Sequence, residues 1–476
     1  MQVRPCISRR AAVRGWPRSS VVFLAVAGLI AAVPATAAAA ATAAPGVIQV
    51  VGTGDPSKDV PDINNALATA GSTHQTVQLV GHFNVGDSCR GCVKINHAVT
   101  IVGTGDPSVA HPPRGSTTII EGGPHGGATV PFFIFKPGAG TVSISKLWFD
   151  HASLGEVWFL GTIAQSRIVL SNNRFTDVRP VTKPIGFMFP VAGGWRVTGK
   201  NIIRNEEGTL SKTPPSGQLV INHNYFDNVR HPFFGDDDCI ALAHWALSQV
   251  TITDNTIKCD SDVIEVEGGI NTSARILVAN NDVTMSSAPS PEGILYPPGG
   301  HPEAIKIMSN LAQSIHVLGN QVHAFGNNKG VCILFASPLH HAPAFGSDVV
   351  ADNTCRMAGM TAGILAGYNT GGPFYPRGVM QDTVVAHNTF QGIAKYGIAF
   401  LDYKPPLGAR PIFGLTNDGN HNVFAGNDLS HLVTPVGLYF GPATYDNLYI
   451  GKVPGRVVNK GTHNVVRSSR HARPES

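Results

Sequence analysis

Leu219-Val220-Ile221-Asn222-His223-Asn224-Tyr225-Phe226 carries the pattern that decides the fold. The pattern stands earlier at Ile168 to Phe175, follows at Val250 to Ile257 and Ile276 to Val283, and continues around Asn320, Asn353, Asn388 and Asn427. Three residues before each asparagine the chain reads Leu170, Ile221, Ile252, Val278, Val317, Val350, Val385 and Phe424. Two residues after it the chain reads Phe175, Phe226, Ile257, Val283, Val322, Cys355, Phe390 and Leu429. Two apolar columns around an amide, recurring every 26 to 51 residues, imply one coil of chain per repeat.

Such coils read as short strands with alternating inward residues, stacked in parallel so that each buries its apolar face on its neighbours. The asparagine suits a bend where a side-chain amide replaces lost backbone pairing and bonds its copy ~4.8 Å above. The pattern resembles the right-handed parallel β-helix of the pectate-lyase-like superfamily over most of residues 76–466. The expected fold is all-β, a single-stranded solenoid of about ten to twelve coils. Asp59 to Ala70 spaces its apolar residues for a short amphipathic helix that would cap the open N-terminal coil. Thr76 to Val85, Val99 to Val102 and Val142 to Phe149 read as early coils without the asparagine, and the last coils shorten around Asn447 and Asn464.

Residues 1–44 read as a signal peptide. Arg4, Arg9, Arg10, Arg14 and Arg18 precede an apolar run from Val21 to Val33, and small-residue cleavage motifs follow from Ala35. The β-helix is expected over 45–466, with a polar disordered tail over 467–476. Removing those five arginines from 35 basic residues leaves 30 against 31 acids, so the exported chain has no general basic field for nucleic acid. After Val33 no segment is long and apolar enough to span a membrane. Charged residues are only 14%, which excludes a coiled coil or an ordinary charged bundle. Cys89 and Cys92 suggest a local disulfide, whereas Cys332 and Cys355 read first as small core residues and only second as a bridge.

A second strand after each asparagine aligns by its inward pairs: Ile240/Leu242, Ile264/Val266, Ile305/Ile307, Cys332/Leu334, Ile364/Ala366 and Ile398/Phe400. In that register Asp238, Asp262, Glu303 and Gly330 form one column, with Asp236, Asp260, His301 and Asn328 two residues earlier. Outward positions add Glu265, Lys306 and Ile333 in one column and Glu267, Met308 and Phe335 in the next. One wall then gathers Asp236, Asp237, Asp238, Asp260, Asp262, Glu265, Glu267, His301, Glu303 and Lys306. Carboxylates ~4.8 Å apart repel unless a cation or a shared proton intervenes.

The wall suits two chemistries. Glycoside hydrolysis pairs carboxylates about 5–5.5 Å apart for retention, as Asp238 and Asp262 would be, or about 6.5–9.5 Å for inversion, as Asp238 and Glu303 would be. β-Elimination would use Lys306 as base and a Ca2+ held among Asp236, Asp260, Glu265 and Glu267 to neutralise a uronate. Gly235-Asp-Asp237-Asp238-Cys-Ile-Ala241 resembles the Gly-Asp-Asp-Cys-Ile/Val-Ala segment of the polygalacturonase family of glycoside hydrolases. That resemblance implies acid and base roles for Asp237 and Asp238, and substrate binding by Lys306 in Ala304-Ile305-Lys306. The chain departs from the family in carrying Asp262-Val263 for His-Gly and Ala304 for arginine.

Trp245 beside the acidic turn could stack on a sugar ring or pack beneath a loop, and His301 could contact substrate. The expected partner is a polysaccharide or oligosaccharide. The function expected is cleavage of that polysaccharide, by hydrolase or lyase chemistry. The alternative is a non-catalytic carbohydrate-binding or cell-surface adhesive β-helix using the same wall.

Overall fold

The computed structural model describes residues 46–73, 75–86, 93–122, 133–135, 140–151, 156–157, 167–176, 191–194, 217–228, 239–243, 247–259, 263–267, 273–286, 303–308, 312–325, 330–336, 347–366, 380–400, 419–442 and 444–468. They belong to one compact unit that begins at Pro45. Every strand pairing in it is parallel, and the strands stack into a 14-stranded and a 19-stranded sheet. The chain therefore folds as a right-handed parallel β-helix, longer than the ten to twelve coils expected. The excess lies at the ends, where short strands such as Val47–Val51 and Val465–Arg467 extend the first sheet.

Each central coil contributes three strands. In one coil these are Gln249–Thr253, Thr256–Cys259 and Ile264–Glu267. The first joins the 14-stranded sheet, and the other two join the larger one, where later coils fuse them into single strands such as Thr354–Ala366. The apolar columns read from sequence are the core: Leu170 through Phe424 and Phe175 through Leu429 are all at most 1% exposed. Phe149, Phe175 and Phe226 stand in one register and stack face to face, with ring centroids 5.1 and 4.7 Å apart.

The asparagines form a continuous ladder. From Asn224 through Asn427 each accepts, through Oδ1, the backbone N–H and the side-chain amide of the previous coil's asparagine, while Asn173, at the start, accepts the Leu147 N–H. Each amide also donates to a carbonyl one coil back, as Asn281 does to Ile252 at 2.9 Å. The residue before each ladder asparagine has positive φ, near 55°, at Asn172, His223, Asp254, Asn280, Asp352 and His387. These polar types, and glycine at 319 and 426, tolerate the left-handed conformation that the bend demands.

A second ladder occupies another corner. Asn422, Asn447 and Asn464 repeat the same bonding, and Thr383 donates its backbone N–H to Asn422. Strand register places Asp348 next in that column. Its Oδ1 accepts the N–H of Ile315 at 2.9 Å. The other oxygen occupies the place where Asn422 and Asn447 donate to Met380 and Gly419, and it is buried with no partner. Burial pushes this carboxyl up to about 7, against the lowering effect of the Ile315 N–H. His316, on the neighbouring strand, is itself driven toward its neutral form by burial and offers no cation.

Between pH 3.8 and 7 the folded chain holds a proton that the unfolded chain has lost, so this contribution is fully present at low pH and fades as pH rises through 7. Asp348→Asn supplies the missing donor. It is expected to raise stability at pH 8 by on the order of 2 kcal/mol and to change it little at pH 4, read from denaturant midpoints. An equal effect at both pH values would remove the buried acid as its cause.

The predicted capping helix runs Pro56–Thr73. Buried Asp59 fastens it, accepting the N–H groups of Thr53, Gly54 and Asn84 and the Thr53 hydroxyl. No helix among the described residues is long and apolar enough to cross a membrane.

Two expectations about cysteine and register need correction. Cys239–Cys259 and Cys332–Cys355 are both disulfides inside the core, with Cα atoms 6.2 and 6.3 Å apart, so Cys332 and Cys355 are bridged rather than free packing residues. The inward pair after Ile305/Ile307 is Ile333/Phe335, not Cys332/Leu334. The ladder skips one residue in successive coils, and Ala304 and Cys332 at that skipped position pack into the core beside Ile305 and Ile333. Two consecutive inward residues at a bend break period-2 alternation. Glycine takes over the position at 363, 397 and 437, where a Cβ would meet backbone oxygen at 2.8, 2.5 and 2.2 Å.

Candidate functional site

The outward positions of the third strands form the site's floor. Ile240, Ile264 and Ile305 stand in one register, which puts Ala241, Glu265 and Lys306 in the next column and sets Glu265 and Lys306 side by side on the outside. Glu303 opens the strand Glu303–Met308, and its carbonyl accepts the N–H of Val263 at 3.0 Å. Glu265, Glu303 and Lys306 are 7%, 3% and 9% exposed, so three charged groups are buried outside the hydrophobic interior.

Lys306 Nζ donates to Glu265 Oε1 at 2.8 Å, across one strand spacing. On an open surface two such residues would form a solvated ion pair of little energetic consequence. Their burial makes the pair a costly element, since each charge loses its water. Glu303 and Lys306 lie three apart on the same strand, and the inward doublet Ala304-Ile305 between them keeps both on the outer side. The bend that broke the expected alternation is therefore what brings them to one face. The corrected register follows Glu303 with Val331 and Lys306 with Leu334, so the charged columns end at this coil.

Asp236, Asp237, Asp238, Asp260, Asp262, His301 and Trp245 lie outside the described residues, as do Cys89, Cys92 and the side chain of Glu267. The described residues that follow the acidic segments, Cys239-Ile240 and Val263-Ile264, are bonded in register with each other and with Ala304-Ile305. Among the described residues no three His, Cys, Asp or Glu side chains gather as a cation site. Glu265, a member of the expected Ca2+ set, holds Lys306.

The neighbouring outer face carries a different charged assembly that the sequence reading missed. Arg114 lies 4.5 Å from the ring of Trp148, Arg174 lies between Trp148 and Tyr225, and Lys258 donates to the Tyr225 hydroxyl at 3.1 Å. Asp150 accepts from Arg114 at 2.7 Å and from the Thr176 hydroxyl at 2.8 Å. Trp148, Arg174 and Tyr225 are each 7% exposed, which makes this stack a fastening between coils. Its signal was the column Trp148, Arg174, Tyr225, legible once the register is known.

No family model and no curated protein matches the chain. Among solved structures, one similar chain is a mannuronic acid-specific polysaccharide family 6 lyase from human gut microbiota. It has a TM-score of 0.33 and 13% identity, and the match covers 89% of this chain and 91% of that one. Another is the Dettilon tailspike protein, with a TM-score of 0.33 and 12% identity over 83% of this chain and 70% of that one. At such values the chemistry of this chain rests on its own residues. By its own strand register and asparagine ladders, the chain is a right-handed parallel β-helix protein with a buried charged site on one outer sheet face.

Proposed function

We propose that this is an exported, carbohydrate-active β-helix protein that cleaves a polysaccharide along the outer face of its third strands. The observation that carries the reading is the burial of Glu265, Glu303 and Lys306 outside the core. Folding gains little from charges in such a place, whereas chemistry on a sugar requires them. A lysine nitrogen donating to a carboxylate at 2.8 Å has its proton engaged, which suits holding a substrate oxygen better than abstracting a proton. That favours hydrolysis, with Asp237 and Asp238 as acid and base and Glu303 or Asp262 as the further carboxylate. Export rests on residues 1–44, and the N-terminal sequence of protein recovered from culture medium tests it.

The test is a screen of neutral and uronate-containing polysaccharides for new reducing ends and for unsaturated-product absorbance. Reducing ends without absorbance are expected. Asp237→Asn and Asp238→Asn should each lower turnover by about a hundredfold or more, with the fold intact. Absorbance instead would assign a lyase. Glycan binding without turnover, unchanged in both variants, would establish the non-catalytic binding reading, which the closed Glu265–Lys306 pair favours.

A further inference from the structure

Past the charged coils, the same outer face turns apolar and then aromatic. Val331, Leu334, Ala362, Leu365 and Ala399 form a cluster separate from the helix interior, and Tyr396 and Tyr439 pack against it. Register ties these residues to the site. One column runs Glu303, Val331, Ala362, Tyr396, Val436, and the other runs Lys306, Leu334, Leu365, Ala399, Tyr439. Each tyrosine thus continues a column that begins with a charged group. Stacking at ~4.8 Å sets Tyr396 about 14 Å and Tyr439 about 19 Å along the face from those groups.

The tyrosine rings meet edge to face, with centroids 5.8 Å apart. Lys395 Nζ lies 5.3 Å from the Tyr396 centroid, and Lys460 Nζ lies 5.6 Å from the Tyr439 centroid. Both lysines are exposed, both tyrosines are half-buried, and exposed Arg456 follows Val436 in its column. None of the three cations forms an ion pair among the described residues. A lysine resting on a tyrosine leaves its ammonium free to meet an anion while the ring offers an apolar edge.

We propose that Tyr396, Tyr439, Lys395 and Lys460 form a binding subsite for an anionic sugar unit of a glycan lying along this face. The sugar ring packs on tyrosine, and its carboxylate or sulfate group pairs with lysine. The inference rests on the reading of the outer face as a glycan groove and adds the charge of the substrate. An aromatic floor with unpaired cations selects an anionic chain over a neutral one by charge, while the rings accept either.

The experiment is calorimetric titration of the full chain with oligosaccharides of equal length: a uronate series, a sulfated series and a neutral series. The wild type should prefer an anionic series over the neutral one by about tenfold, and added salt should suppress that preference. The preferred series distinguishes carboxylate from sulfate. Lys395→Gln with Lys460→Gln should erase the preference and leave neutral affinity unchanged. Tyr439→Ala should weaken all series about fivefold or more, and Tyr439→Phe should retain wild-type affinity. Unchanged anionic affinity in the lysine double variant overturns the proposal, and so does unchanged affinity in Tyr396→Ala with Tyr439→Ala. If the tyrosine variants fail to fold, the exposed lysine pair decides. Loss of turnover in Asp238→Asn with no effect of the lysines sinks this subsite alone. Lysine-dependent binding without turnover sinks the cleavage reading alone, and absence of any glycan binding sinks both.

Discussion

Asn281→Ala is expected to lower the stability of the folded chain by about 4 kcal/mol, although the side chain is small and polar. Four bonds are lost at once. Asn281 Oδ1 accepts the Asn255 backbone N–H at 3.1 Å and its amide at 2.9 Å, and Asn281 Nδ2 donates to Ile252 and Asn320 at 2.9 Å each. The site is fully buried, so no water replaces them, and the Asn255 N–H is left without an acceptor. Asn464→Ala loses a similar number of bonds at the C-terminal end of the second ladder. There water takes over, and the expected cost is about 1 kcal/mol. Denaturant midpoints of the two variants make the comparison. Equal costs would show that the ladder gains nothing from burial.

Breaking the outer ion pair should cost nearly as much. Glu265→Gln or Lys306→Met alone each leaves one charge buried without the 2.8 Å partner, at an expected cost of about 3–4 kcal/mol. The double variant Glu265→Gln with Lys306→Met removes both members of the pair and should be more stable than either single variant, because neither member is left facing a lost partner. Stability and activity then separate. If the face is catalytic, the double variant folds well and does not turn over substrate. If the pair is only a lock between coils, the double variant keeps full activity, and the site must be sought elsewhere. A double variant as unstable as the sum of the singles would show that the pair carries net stability.

The repeat was readable because each coil solves the same local problem. The bend needs a left-handed residue and then an amide, and the flanking inward positions need apolar bulk, so Asn172-Asn173 and His387-Asn388 announce the same geometry 215 residues apart. The third-strand phase was readable only where a charge marked the outside. Ile264-Glu265-Val266 and Ile305-Lys306-Ile307 fix their own orientation, and their pairing was read correctly. Val331-Cys332-Ile333-Leu334-Phe335 contains no polar residue, so alternation could not place it, and the reading slipped by one. Tyr396 and Tyr439 continue the charged columns across Val331 and Leu334, a continuity that appears only when every strand of the face is paired.

By itself the sequence determined the solenoid, its asparagine ladder, its capping helix and the coils on which charge concentrates. These depend on period and residue type, and stacking copies at one spacing turns a local rule into a fold. Tertiary structure alone decided that four cysteines pair inside the core, and that Asp348 stands in an amide column where its second oxygen lacks a donor. It also decided that Glu265 and Lys306 are buried together rather than solvated. Each of these depends on what lies one coil away and how much water remains there. Spacing along the chain does not encode that, because coils 17 to 51 residues long bring partners together only after the helix has wound.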